Sequence, residues 1–206
     1  MLVAAIDFGT TYSGWVFSFK HEYDTDPTTI AGGQMVSMKS PTTVLIKPDA
    51  KTFDSFGYEA ETRNSEFASD DNNEHKKWYY FRRFKMMLHG KMGLDRNIDI
   101  EDETQKPLLA KTVFSLVIHR LSSGHIKEDE ITWVLTVPAI WTDAAKQFMR
   151  EAAVEAGIKN DNLKISLEPE TASIFCRLLP VEKNDRRRRN GFFQAGISIH
   201  GVGCWR

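Results

Sequence analysis

The sequence predicts an α/β fold, and three observations carry that prediction. An apolar run opens the chain, Leu2 to Ile6, and the aromatic, β-branched run "WVFSF" follows it across a short polar loop. Much later, "ITWVLTVP" and "LKISL" are β-rich segments, each followed directly by a helix-forming one. Between these groups, "LLAKTVFSLVIHRLSSG" repeats its apolar residues near the helical period.

In chain order, Leu2–Ile6 is continuously apolar with Val and Ile, the pattern of a strand buried on both faces. Trp15–Phe19 reads as a second strand. The loop between them is too short for a parallel return, so the two form an antiparallel hairpin with Gly9 and Gly14 as its flexible corners. Residues 20–60 are mixed: "TDPTTIAGGQ" reads as a loop or hairpin, and "TTVLIKPDAKTFDSFGYEA" as two short strands around a Pro-Asp turn. Glu61 to Glu74 is polar and acidic, either a surface helix or a loop. The aromatic-basic block "KKWYYFRRFKMMLHG" follows, and its aromatics read as packing residues. "KMGLDRNIDIEDETQKP" is charged and exposed in character.

From Leu108 a helix is predicted, with Leu109, Val113, Leu116, Val117 and Leu121 near one face and Gly124 beyond its end. The strand in "ITWVLTVPAIW" stops at Pro138. "TDAAKQFMREAAVEAG" is a helix that Thr142 or Asp143 can cap; Phe148, Ala152 and Ala156 share a face, and Gly157 ends it. "LKISLEPETASIFCRLL" reads as strand, sharp turn and helix. The segment 181–206, with "KNDRRRRNG" and "GFFQAGISIHGVGCWR", lacks a sustained period and reads as a disordered tail.

A chain of 206 residues holds one ordinary domain or two small ones and hides roughly 70% of its unfolded surface. A hydrophobic content of 41% with 27% charged residues is ordinary for a globular protein. The net charge of −1 supplies no global field toward nucleic acid or an anionic membrane. Cys176 and Cys204 make neither a metal spacing nor a disulfide framework, which favours a reducing compartment. No run approaches the roughly 18 apolar residues of a membrane span, and no signal peptide is recognisable. A soluble, cytoplasmic protein is expected. Arg186 to Arg189 could serve nuclear import or RNA contact, but a solvated charge run is the simpler reading.

Three features could carry chemistry. The loop after Asp7 in "AAIDFGTTYSGW" is either a capped turn or a nest of N–H donors for phosphate, with Thr10, Thr11 and Ser13 adding hydroxyls. An aspartate beside a polyphosphate is repulsive unless a cation lies between, and Mg²⁺ suits because it needs only one or two carboxylates. Glu168 precedes Pro169, which disfavours helical backbone, so it is expected to project from a strand end instead of joining the helix. There it either binds hydrated metal and orients water, or caps the helix. Lys85 is either a solvated lysine or a point charge for a transferred phosphoryl group, with Arg82 and Arg83 as competitors.

Taken together and in this order, "AIDFGTTYSG", "WVLTVPAIWTDAAKQFMREAAVEAG" and "ISLEPETAS" resemble the ATPase domain of the 70-kDa heat-shock protein family over about residues 1–180. "WYYFRRFKMMLHG", with Trp141 after "VPAI" and "QFMREAA", looks closer to its divergent heat shock 70 kDa protein 12 branch than to a conventional chaperone. The resemblance implies an actin-like, ribonuclease-H-like architecture with a mixed sheet and flanking helices, of which this chain holds the first of two lobes. Residues 1–38 with 106–180 would form the core lobe and 39–105 an inserted smaller subdomain. It implies ATP or ADP with Mg²⁺ as cofactors. Gly9, Thr10, Thr11 and Tyr12 would line the phosphates, with Asp7 and Glu168 at the metal through water. Lys85 would face the γ-phosphate. Pro138 and Lys146 match positions that relay nucleotide state to a peptide-binding domain, although the family usually has Arg where Lys146 stands. Client or co-chaperone proteins would be the partners.

One departure weighs heavily. The family's second phosphate loop, Asp-x-Gly-Gly-Gly-Thr, does not occur in the sequence, and "GVG" near its end lacks the carboxylate and the threonine. Weak or no hydrolysis by this chain alone is therefore expected. Two alternatives stand beside the ATPase reading: a non-enzymatic interaction module derived from the lobe, and a sugar- or acetate-kinase-like enzyme with the same opening loop.

Overall fold

The computed structural model describes residues 2–25, 39–69, 74–88, 98–123 and 131–178. The opening hairpin forms from Leu2–Phe8 (β1) and Tyr12–Phe19 (β2), antiparallel, with Phe8 opposite Ser13 and Asp7 opposite Gly14. The second strand therefore starts three residues earlier than its aromatic run. Gly14 lies inside the ladder rather than at a corner, because backbone pairing continues across a residue that has no side chain. Burial alternates along β1: Leu2, Ala4, Ile6 and Phe8 are buried, while Val3, Ala5 and Asp7 are half-buried. The expectation of two equally buried faces is corrected accordingly.

A short helix, Lys20–Thr25 (α1), follows. Ser40–Pro41 (β3) pairs antiparallel with the start of β2, Ser13 opposite Ser40. Thr43–Ile46 (β4), Phe53–Phe56 (β5) and Tyr79–Arg82 (β6) make a second, three-stranded sheet in the order β5-β4-β6. The β4–β5 connection is the expected Pro-Asp turn. Asp49 closes it by accepting from Thr52 Oγ1 and from the N–H groups of Thr52 and Lys51, which hold its carboxyl down at about 2. Tyr58–Ser69 (α2) packs against β4 and β5, so the acidic stretch is helical from Glu61 to Ser69, while residues 70–73 lie outside the described residues.

Asp99–Glu101 (β7) and Pro107–Leu109 (β8) form a small ribbon. Leu109 thus belongs to a strand, and the helix after it is Ala110–Ser122 (α3). Ile131–Val137 (β9), Asp143–Glu155 (α4), Leu163–Leu167 (β10) and Glu168–Leu178 (α5) complete the fold. The main sheet runs β10-β9-β1-β2-β3, with β1, β9 and β10 parallel and the hairpin and β3 antiparallel. Three antiparallel strands continued by two parallel ones through helices form a mixed sheet with flanking helices, an α/β arrangement. The segments 26–38 and 181–206, Gly90, Gly124, Arg186–Arg189 and Cys204 lie outside the described residues.

Helices α3 and α4 pack on each other, and their buried residues join those of β1, β4, β6 and β9 in one hydrophobic cluster. Phe114 of α3 is central. It stacks on Phe8 at 5.2 Å between ring centroids and meets Phe84 and Phe148 edge-on at 5.1 and 5.5 Å. Phe8 and Phe84 directly neighbour Asp7 and Lys85 in sequence, so this aromatic packing sets where those side chains emerge.

The cap on α4 is Thr142, whose Oγ1 accepts from Ala145 N at 3.3 Å. Thr142→Ala should cost about 1 kcal/mol of stability, read as a lower midpoint in urea with an unchanged slope.

Candidate functional site

Strands β1, β9 and β10 run parallel and finish side by side, at Asp7–Phe8, Val137 and Leu167. The carboxyl ends of parallel strands are where ligands bind in open α/β sheets. The loop Gly9–Thr11, the turn Pro138–Trp141 and the start of α5 leave from this edge.

The opening loop is anchored through its own acceptors. Gly9 O accepts from Thr42 Oγ1 at 2.8 Å and from Ser13 Oγ at 3.4 Å, while Thr11 O accepts from Thr42 N at 2.8 Å. The buried hydroxyls of Ser13 and Thr42 also bond each other at 2.8 Å. Two loop carbonyls are thereby turned to the protein, the polarity an anion cradle requires. Thr10 is half-buried, and Thr11 and Tyr12 are exposed, Tyr12 as the first residue of β2. A Cβ on Gly9 would stand 2.1 Å from Tyr12 O, a backbone atom that cannot step aside alone. Gly9→Ala should therefore distort the loop and destabilise the protein by about 1–3 kcal/mol, detectable as a lower melting temperature.

Lys85 lies in a 3₁₀ turn, Phe84–Leu88, between β6 and the segment that leads to β7. It is not a solvated lysine: its side chain is 1% exposed. Its ammonium donates to Phe8 O at 2.5 Å and to Glu168 Oε1 at 2.7 Å, and it stands 5.4 Å from the centre of the buried Trp141 ring. The adjoining aromatic core carries it inward, and a carbonyl, a carboxylate and an indole face compensate its charge. Arg82 and Arg83 stay exposed.

Glu168 is the first residue of α5 and is buried, which corrects the expectation that it stays off the helix. Pro169 has no N–H, but first-turn N–H groups have no helical acceptor, so the helix can begin one residue before the proline. Its carboxylate sits at the positive end of α5 and 2.7 Å from the Lys85 ammonium.

Asp7 is half-buried at the end of β1. Its Oδ1 accepts from Thr136 Oγ1 at 3.1 Å, and Oδ2 lies 2.7 Å from Lys39 Nζ. That second contact is charge against charge without hydrogen-bond alignment, and Oδ2 accepts no hydrogen bond among the described residues. Pro138 follows β9 and its carbonyl accepts from Trp141 N, which shapes the turn that delivers the indole to Lys85. Lys146 pairs with Asp143 on its own helix at 3.2 Å, and no described contact joins it to Asp7, Lys85 or Glu168.

The structure thus joins Lys85 to Glu168 directly and sets both beside the end of β1, one residue past Asp7. It adds four residues not predicted for the site: Lys39, Thr42, Thr136 and Trp141. Trp141 was visible only as a feature of the resemblance; Lys39, Thr42 and Thr136 carried no local signal.

Among the described residues no group of three or more His, Cys, Asp and Glu side chains could hold a metal ion. Both carboxylates already face ammonium groups, Asp7 with Lys39 and Glu168 with Lys85. A divalent ion on Asp7 Oδ2 would share that oxygen with a cation 2.7 Å from it, so this arrangement does not fit a metal ligated by Asp7. No described helix is long and apolar enough to cross a membrane.

No protein-family model matches the chain. Human heat shock 70 kDa protein 12A is 37% identical over 231 residues, covering 98% of this chain and 33% of the relative. The mouse protein of the same name is 39% identical over 207 residues, with 89% and 29% coverage. Human heat shock 70 kDa protein 12B is 38% identical over 205 residues, with 88% and 29% coverage. Among solved structures, MreB5 of Spiroplasma citri bound to ADP aligns with a TM-score of 0.48 at 14% identity, over 84% of this chain and 40% of that one. The chain spans at most about a third of the length of the curated relatives it matches, and over that span it is a homologue of the heat shock 70 kDa protein 12 proteins.

Proposed function

We propose that this chain is a nucleotide-binding lobe of a heat shock 70 kDa protein 12-type ATPase and takes the phosphates of ATP or ADP at the carboxyl ends of β1, β9 and β10. One observation carries the reading. Lys85 reaches across 77 and 83 residues of sequence to Phe8 O and Glu168 at that edge, beside the Gly9–Thr11 loop. Gly9, Thr10, Thr11 and Tyr12 would line the phosphates through N–H and hydroxyl donors. Lys85 would oppose charge at the terminal phosphate, and Glu168 would hold the ammonium in place and orient water. Mg²⁺ enters only as an ion carried on the nucleotide. Pro138 and Lys146 would report the state of the site to a client- or co-chaperone-binding region.

Binding without turnover is the expected behaviour, because the second phosphate loop is not in this sequence. Calorimetry with ADP should give roughly millimolar affinity or better for the wild-type chain, and no heat for Lys85→Met. ATP turnover abolished by Asp7→Ala would instead mean that the site is catalytically complete.

A second reading has its own observation. The Lys85 side chain is 1% exposed and its ammonium is bonded on two sides, which suits a bolt between β1 and α5 in a non-enzymatic interaction module. No heat from the wild-type chain at millimolar ADP favours that module, with protein partners in place of nucleotide.

A further inference from the structure

We infer that Lys39 is a built-in counter-cation for Asp7, so that the opening loop meets phosphate through an ammonium group and excludes a divalent ion from that carboxylate. The register of the sheet makes this placement specific. Ser13 pairs with Ser40 across β2 and β3, and Asp7 pairs with Gly14 across β1 and β2. One step along the same register sets Lys39 opposite Gly14, so Lys39, Gly14 and Asp7 form a row across three neighbouring strands.

Strands two apart are separated by about 10 Å, a gap that a lysine and an aspartate side chain span together only if nothing stands between them. Gly14 is buried and has no side chain, so the path is open. Lys39 Nζ ends 2.7 Å from Asp7 Oδ2, with the two side chains 34% and 20% exposed. Both side chains thus keep some exposure, although Asp7 Oδ2 itself is buried against the ammonium. Thr136 fixes the other carboxylate oxygen, and Lys85 neutralises Glu168. Asp7 and Glu168 are thus each matched by a lysine. The ligand class that fits is a nucleoside di- or triphosphate bound without a metal on Asp7.

The phosphate part of this inference rests on the nucleotide reading, whereas the exclusion of metal does not. Mn²⁺ alone, without nucleotide, is titrated into the full chain and followed by electron paramagnetic resonance. Lys39→Met should bind Mn²⁺ at least about tenfold more tightly than wild type, since a neighbouring like charge has been removed. Adding Asp7→Asn should abolish the gain, and Lys39→Arg should behave as wild type. Circular dichroism verifies that each variant is folded. Equal behaviour of wild type and Lys39→Met, including no binding by either, overturns the inference. So does a wild-type Mn²⁺ site that Asp7→Asn removes.

ADP binding is then compared in EDTA and in Mg²⁺. The wild type should change by less than about twofold, and Lys39→Met should come to depend on the metal. A chain that binds no ADP under either condition defeats the nucleotide reading, while the Mn²⁺ comparison still decides the role of Lys39.

Discussion

Glu168→Gln should destabilise the protein by about 3–5 kcal/mol, because it leaves the Lys85 ammonium buried without its counter-charge. The two side chains are 1% and 9% exposed, so water cannot take over the lost interaction. Glutamine keeps the shape and one acceptor, which isolates charge from packing. In urea the midpoint should fall with little change in slope. The double variant Lys85→Met/Glu168→Leu should recover most of the loss, since replacing both partners by apolar groups removes the desolvation penalty together with the attraction. A single variant that unfolds with the wild type would mean that the ammonium has another counter-charge.

Phe114→Ala should cost a similar amount, about 3–5 kcal/mol, through the cavity it opens. Its ring touches those of Phe8, Phe84 and Phe148, which come from β1, the Lys85 turn and α4. With a total stability of about 5–15 kcal/mol typical of a domain, the variant would sit close to the limit of folding. Phe114→Leu should lose less. Loss of near-ultraviolet dichroism alongside the shifted urea midpoint would mark the loosening of the aromatic cluster. An unchanged midpoint would show that α3 is not the keystone of this core.

Much of the fold was legible because it depends on local pattern. The hairpin followed from two β-rich runs and a short loop, and α4 from its cap, its periodicity and Gly157. The end of β1 that carries Asp7 was also readable, since the carboxylate follows an apolar run, whereas Glu168 proved to open α5. What sequence could not supply was distance. Lys85 and Glu168 are 83 residues apart, and nothing local to "YFRRFKMML" distinguishes a buried lysine from a solvated one. Lys39 escaped notice for a similar reason. It precedes a strand of only two residues, Ser40–Pro41, too short to show any alternation. A clue was available in hindsight: Gly14 within an otherwise β-branched and aromatic run marks a place where another group passes close over the backbone.

The pairing of β1 also bears on how the chain acquires its structure. β1 is central in the main sheet, with β2 on one side and β9 on the other. Its bond to β9 through Asp7 and Thr136 links positions 129 residues apart. At a synthesis rate of about 5–20 residues per second, one edge of β1 waits roughly 6–26 seconds for its neighbour to be made. During that interval an apolar strand has one side paired and the other open, the condition in which nascent chains pair wrongly with one another. The topology thus contains a late-closing seam that slower synthesis would hold open longer.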